Sequence, residues 1–423
     1  MKTKLPVDHI ESIFRSALAE GLIREEDTAV IFYDLDFLAE RVQHLASLFP
    51  ETTLHGIAMK ANPLIEVLKY LQNLGMGVET ASLGEVTVAL KSGYPASRIV
   101  FDSPVKTVKE LEFALKEGIH LNLDSLDELD RVTFLRQKIS SKSTIGLRIN
   151  PQVGKGTIEE SSVAGEYSKF GIPLNSKRKQ LLEAFLNHNW LQGVHLHVGS
   201  QGCPLELLVK GVEVLYNFAE EVNHTAGRSQ IRIFDIGGGL PVSYTSSDHP
   251  PLMEEYRNAL KTKFPLLFTD QYSLITEFGR WTHANTGFTV SRVEYVKHDP
   301  GINTAMIHTG ADLFVRECLN PKAWHHQYTL LDRFGIRKGG KDMVPYNLGG
   351  PLCFSGDILA RNVTLPEVKE GDYLMIQDTG GYTYSMWSRY NSRQTPRILG
   401  YRKGKFLILR ERESLEDLCN FWK

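Results

Sequence analysis

The sequence predicts an α/β protein: a (β/α)8 TIM-like barrel plus a C-terminal, mostly antiparallel β domain. Short apolar runs alternate with longer amphipathic ones from about residue 30, and eight such runs occur before residue 285. Beyond that point, strand-like segments separated by Gly and Pro turns replace the helical spacing. Strands alternating with helices over this length suit a closed parallel barrel. A doubly wound open sheet is the alternative.

The apolar runs place strands at Leu54–Lys60, Gly77–Ala81, Arg98–Phe101, His120–Leu123, Thr144–Asn150, Gln192–Val198, Ile231–Ile236 and Ser273–Glu277. Helical spacing fills the intervals: Leu64–Leu74, Leu83–Ser92, Val108–Lys116, Leu126–Lys138, Ser176–Asn187, Leu205–His224 and Leu252–Lys263. Ser125 and Ser176 are expected as N-caps. The barrel is expected over residues 30–285, starting near Ile31, with residues 1–29 and 286–423 forming a β-sandwich or barrel domain. Within the barrel, Gly154–Ser168 reads as a loop, either a lid or mobile surface.

The composition excludes several function classes. Of 423 residues, 42% are hydrophobic and 23% charged, and 48 basic side chains nearly balance 50 acidic ones. No basic block points to nucleic acid or an anionic membrane. No apolar run is long enough to cross a bilayer, and Met1–Ile10 lacks a signal-peptide core. Cys203, Cys318, Cys353 and Cys419 are widely separated, as expected for reduced thiols in a cytoplasmic protein.

Chemistry concentrates at the strand ends. Lys60 follows the first strand and precedes the Asn62-Pro63 break. The C-terminal ends of barrel strands are where active sites sit. A lysine buried there loses charge and becomes a nucleophile toward a carbonyl, although a lysine at a strand end is more often a solvated charge. The seventh strand runs into Gly237-Gly238-Gly239, and the eighth into Glu277-Phe278-Gly279-Arg280. Loops after these two strands commonly bind phosphate, glycines letting backbone N–H groups approach and Arg280 adding a charged fork. His195 and His197 lie two apart on the sixth strand, followed by Gly199-Ser200-Gln201. Three readings stand: a core histidine, a metal pair, or an imidazole flat against a planar cofactor with Ser200 on its phosphate. Glu277 would stay ionised against a protonated ring nitrogen. Lys60, the phosphate site, a flat imidazole and Glu277 together make the parts of a pyridoxal 5′-phosphate pocket, with no metal required.

The chain resembles the decarboxylases of the alanine-racemase fold, the group containing diaminopimelate and ornithine decarboxylases. The matching stretches, in order, are Ala58-Met59-Lys60-Ala61-Asn62, Ser168-Lys169-Phe170-Gly171, His197-Val198-Gly199-Ser200-Gln201, Asp235-Ile236-Gly237-Gly238-Gly239, Glu277-Phe278-Gly279-Arg280, Gly350-Pro351-Leu352-Cys353-Phe354-Ser355-Gly356-Asp357 and Gly381-Tyr382-Thr383-Tyr384-Ser385-Met386. The diaminopimelate branch is nearest, through Ser-Gly-Asp after Cys353 and Tyr390-Asn391-Ser392-Arg393. The resemblance implies that Lys60 bonds covalently to pyridoxal phosphate, His197 stacks on the ring and Glu277 holds the pyridinium. Gly238, Gly239, Gly279, Ser200, Arg280 and Tyr382 would surround the phosphate and nearby substrate groups. Cys353 would be the thiol that a partner subunit inserts to protonate the carbanion, in a homodimer with shared active sites.

Departures from the pattern bear on the substrate. Ile57 and Phe278 replace a usual Tyr and Pro and are expected to alter packing only. Phe354 stands where diaminopimelate decarboxylases carry Glu, and Asn320 replaces a tyrosine in Arg316-Glu317-Cys318-Leu319-Asn320. Arg316 remains for a carboxylate. An unpaired buried ammonium costs about 3–5 kcal/mol. The expected activity is therefore decarboxylation of a related amino acid with a carboxylate or apolar tail, not of meso-diaminopimelate itself. An amino-acid racemase on the same fold and a metal-dependent barrel hydrolase using His195 and His197 are the rivals. The D or L configuration at the reacting carbon stays open.

Overall fold

The computed structural model describes residues 2–423, which divide into two compact units. One comprises Ala39–Val242 and His249–Thr282. The other comprises the chain up to Leu38, Ser243–Asp248 and everything from His283 onward.

The first unit is a closed barrel of eight parallel strands: β1 (Leu54–Ala58), β2 (Gly77–Thr80), β3 (Ile99–Phe101), β4 (His120–Leu123), β5 (Ile145–Asn150), β6 (Leu191–His195), β7 (Ile233–Asp235) and β8 (Ser273–Thr276). Each strand pairs with its sequence neighbours, β4 with β5 and β8 with β1, so no edge is left. Every residue of β2 to β5 is buried. Strands covered by helices outside and by a filled interior inside meet water on neither face. They therefore read in the sequence as apolar runs and not as alternation. Most are shorter than their apolar runs, because the residue just past most strands remains buried while leaving the ladder.

Helix starts follow local chemistry. Ser82 and Ser125 accept hydrogen bonds from the Glu85 and Glu128 backbone N–H groups, and Thr107 forms a reciprocal capping box with Glu110. Ser176 does not cap its helix, which runs over Leu174–Asn187. Pro173 sets the entry, and the Asn175 N–H donates to Gln152 Oε1 at 2.9 Å. The orphan donor is thus met from another segment, which periodicity does not show. The Gly154–Ser168 loop is stitched down: Val163 N donates to Val198 O at 3.0 Å, Ser200 N to Ser161 O at 2.9 Å, and Thr157 N to Gly202 O at 2.9 Å.

In the second unit a nine-stranded sheet pairs mostly antiparallel. The exceptions are Ala29–Asp34 against Arg397–Arg402 and Ile302–Ile307 against Met343–Gly349. Helix Val7–Ala19 lays Ile10, Ile13, Phe14 and Ala17 on Val30, Phe32, Phe288, Val290 and Leu399. The barrel was expected to start near Ile31. The strand found there, Ala29–Asp34, lies instead between Gly287–Asp299 and Arg397–Arg402. A fully apolar strand suits a central position in either sheet, and only pairing distinguishes them. The boundary expected at residue 30 accordingly falls after Leu38.

Two barrel histidines make stability depend on pH. His55 Nδ1 meets Thr276 Oγ1 at 2.8 Å, and His120 meets Thr144 Oγ1 at 2.7 Å and Asn122 Oδ1 at 3.1 Å. Burial lowers both imidazoles from 6.5 to about 4. Between those values the unfolded chain binds protons that the folded chain refuses, so their contribution is complete above about pH 6.5 and is lost as pH falls toward 4. The urea midpoint is predicted to drop between about pH 7.5 and about pH 5, each histidine accounting for roughly 1–3 kcal/mol. A His55→Gln/His120→Gln protein should decline less steeply; equal slopes would refute the assignment.

Candidate active site

Polar residues gather where the barrel strands end. β1 gives way to a single turn, Met59–Ala61, that carries Lys60. Its Nζ meets Glu79 Oε2 at 2.5 Å; the lysine side chain is 41% exposed and the glutamate fully buried. The buried, neutral amine expected from the sequence is thus replaced by an accessible one beside a buried carboxyl. Burial pushes Glu79 upward, and Lys60 pulls it back.

Deeper in the barrel, charges alternate. Arg148 on β5 donates to Asp102 Oδ2 at 2.8 Å and lies 3.8 Å from Asp124. Asp102 Oδ1 stands 3.5 Å from His195 Nδ1, and His195 Nε2 stands 3.6 Å from Glu277 Oε2. Burial alone would lower His195, but Asp102, Asp235 and Glu277 outweigh it and raise the imidazole to about 9. Burial would likewise raise Glu277 and Asp102. The His195 cation instead holds Glu277 low, and Arg148 with His195 holds Asp102 low. Asp235 goes the other way, driven well up by burial and by Glu277; it accepts from Gly237 N at 2.9 Å and Asn122 Nδ2 at 3.1 Å. Phe170 of the Ser-Lys-Phe-Gly stretch covers Arg148 with its ring, 4.6 Å from the guanidinium carbon.

The two histidines separate. β6 ends at His195, so His197 lies past the strand and the same-face argument for a metal pair lapses. His197 Nδ1 accepts from Gly238 N at 3.2 Å. Part of His197 remains accessible, yet loss of surrounding water lowers its pKa to about 3, leaving it neutral.

The glycine turn is shaped by close approach. A Cβ at Gly237 would strike Leu196 O, one at Gly238 would strike Glu277 O, and one at Gly239 would strike Gly199 O. Gly237 and Gly239 also have φ of 61° and 105°. Beside this turn, Arg280 Nε donates to Ser200 Oγ at 2.9 Å. Gly279 packs against Ala58 and Ala61, flanking the Lys60 turn. These residues suit pyridoxal phosphate. The segments that crowd the turn lead directly into Ser200 and Arg280, which are joined to each other, and Lys60 is accessible. Glu277 is ionised, with Oε1 lacking any hydrogen-bond partner among the described residues.

The remaining expected site residues lie in the second unit. Arg316 donates to Tyr382 O at 3.0 Å, and its guanidinium carbon sits 4.2 Å from the Trp324 ring centroid and 5.5 Å from that of Tyr382. Exposed Cys353 donates its N–H to Asn391 Oδ1 at 2.7 Å, while Phe354 packs edge-on against Tyr390. Asp357 holds this loop, accepting from Ala311 N and Leu352 N at 2.6 Å each. All four cysteines are free.

Glu79, Asp102, Asp235 and Arg148 were missed in the sequence. The three acids sit at or just past the ends of β2, β3 and β7, the rule that identified Lys60 and Glu277, and it would have found them.

Residues 35–284 match the family of pyridoxal-dependent decarboxylases, pyridoxal binding domain. Diaminopimelate decarboxylase of Helicobacter pylori is 31% identical over 409 residues, 94% of this chain and 96% of that protein. That of Pseudomonas aeruginosa is 32% identical over 366 residues, 85% and 84% of the two chains. The crystal structure of the H. pylori enzyme complexed with L-lysine superposes with a TM-score of 0.84 at 29% identity, covering 96% of this chain and 99% of that one. These relatives overturn the expectation that diaminopimelate itself is not the substrate, which rested on Phe354 and Asn320. The penalty invoked there requires burial, and Phe354 is 37% exposed within the chain. No helix among the described residues is long and apolar enough to cross a membrane. With the barrel, its glycine turn and the match over most of its length, the chain belongs to the pyridoxal-dependent decarboxylases and is a carboxy-lyase that uses pyridoxal phosphate on an amino acid.

Proposed function

We propose that this enzyme decarboxylates diaminopimelate to lysine. The observation that carries the reading is the near full-length match to diaminopimelate decarboxylases, two of them solved with L-lysine. Lysine is what diaminopimelate becomes on losing one carboxyl group.

When bound, pyridoxal phosphate supplies a conjugated ring that accepts the electrons released as carbon dioxide departs. Lys60 is the residue proposed to anchor it covalently. Glu79 beside Lys60 offers a carboxyl to which its ammonium can pass or from which it can recover a proton. Neutral His197 presents an uncharged imidazole suited to lie against an aromatic ring. The Gly238 and Gly239 turn, Gly279, Ser200 and Arg280 are proposed to seat the phosphate. Ionised Glu277 is proposed to hold a ring N–H at its free Oε1. Arg316, Phe354 and Tyr382 are proposed to bind substrate, with Arg316 taking a carboxylate. Cys353, exposed on its loop, is proposed to return a proton to the reacting carbon from a second copy of the chain in a homodimer.

Offered diaminopimelate isomers, lysine, ornithine and arginine, the enzyme should release carbon dioxide from diaminopimelate and form lysine. Release from ornithine or arginine alone would overturn the substrate assignment, and inversion without carbon dioxide would point to racemisation. Lys60→Ala should abolish cofactor fixation by borohydride and reduce kcat by more than about a thousandfold; survival of both would remove Lys60 from its role. Cys353→Ala should lower kcat by roughly 10²–10⁴-fold while leaving cofactor content unchanged. An unaltered kcat would exclude the thiol as the proton donor.

A further inference from the structure

The four-member row of alternating charge under the glycine turn goes beyond what the proposed reaction assigns. We propose that His195 is a positioning residue: a buried imidazolium, braced from behind by Asp102 and Arg148, that keeps Glu277 ionised and its free oxygen available to a cofactor ring N–H. This inference rests on Glu277 being the partner of the ring nitrogen, as proposed above.

The geometry supports it from several directions. His195 has no exposed surface, and one side-chain N or O atom from each of Asp102, His195 and Glu277 lies within 4.8 Å of the others. One imidazole nitrogen faces Asp102 and the other faces Glu277. A neutral imidazole has only one N–H, and would turn a lone pair toward one of the two carboxylates; the cation turns an N–H toward each, at ion-pair distances longer than hydrogen bonds. Asp102 cannot withdraw, because Arg148 holds its other oxygen at 2.8 Å and Phe170 covers that arginine. Other titratable groups around His195 agree with this state. Asp235, at the end of β7, adds negative potential or a neutral acid according to its proton; His120 on β4 and His197 stay neutral through burial. Lys60 and Glu79 sit at the mouth as a facing pair.

Without the His195 cation, Glu277 would be a carboxyl stripped of water, and burial would drive it toward its neutral form. A neutral acid has no preference for a protonated ring nitrogen. The reach of His195 is therefore onto the cofactor, through Glu277, with no contact to the substrate required.

The test uses the full-length protein loaded with pyridoxal phosphate or with 1-deazapyridoxal phosphate, which has C–H in place of the ring nitrogen. Dissociation constants are read from tryptophan fluorescence, independently of turnover. Wild type should prefer pyridoxal phosphate by roughly ten- to hundredfold, as for a hydrogen bond to a charged group. His195→Gln should bind the deaza compound nearly as well as wild type does, with the preference reduced to within about threefold. If His195→Gln keeps the full preference, the proposal fails while the reading of Glu277 stands. If it weakens both compounds equally, His195 is merely structural and the proposal again fails. If wild type itself shows no preference, Glu277 is not the ring partner, and the reading beneath the proposal falls with it. Should His195→Gln fail to fold, ¹⁵N-histidine spectra of wild type decide the matter. One imidazole should keep both nitrogens protonated at about pH 8, where exposed histidines are neutral, and should lose that state in Glu277→Gln. A spectrum with every imidazole neutral at that pH would overturn the proposal.

Discussion

The site depends on the need to pair every charge that the barrel buries. Acids at the ends of β2, β3 and β7 and just beyond β8 converge in an interior that water does not reach. Isolated carboxylates there would be neutral or would destabilise the fold. Arg148, Asp102, His195 and Glu277 resolve this by alternating in sign, each within 3.6 Å of the next. Such a row draws its geometry from the barrel and also constrains it, since removing one member leaves its neighbours unmatched.

The glycine turn after β7 follows from the same crowding. The segments after β6, β7 and β8 converge so closely that backbone carbonyls occupy the space a side chain would need at positions 237 to 239. What looks in the sequence like flexibility is therefore a packing requirement. Within it the Gly237 N–H donates to Asp235 and the Gly238 N–H to His197, so the turn is tied to the residues below it. The stitched Gly154–Ser168 segment adds to this order by tying down Val198 and Ser200.

Substrate specificity could not be read from two substitutions. Phe354 and Asn320 differ from the pattern in the diaminopimelate branch, and the inference from them assumed that the distal ammonium is buried. Relatives that match along nearly the whole chain carry more weight than that assumption.

Much of this protein was legible in one dimension. Apolar runs at barrel spacing located all eight strands, and the end of each strand pointed to chemistry, because in a parallel barrel those ends share one rim. Lys60, the glycine turn, Glu277 and Arg280 were proposed as site residues for that reason. Tertiary structure alone decided that Ala29–Asp34 leaves the barrel for the other sheet, since a buried strand looks the same wherever it pairs. It also decided that His195 and His197 have different neighbours, so that carboxylates raise the first imidazole's pKa while loss of water lowers the second's. A protonation state depends on which carboxylates stand within a few ångströms, and Asp102, Asp235 and Glu277 reach His195 from three strand ends widely spaced along the chain.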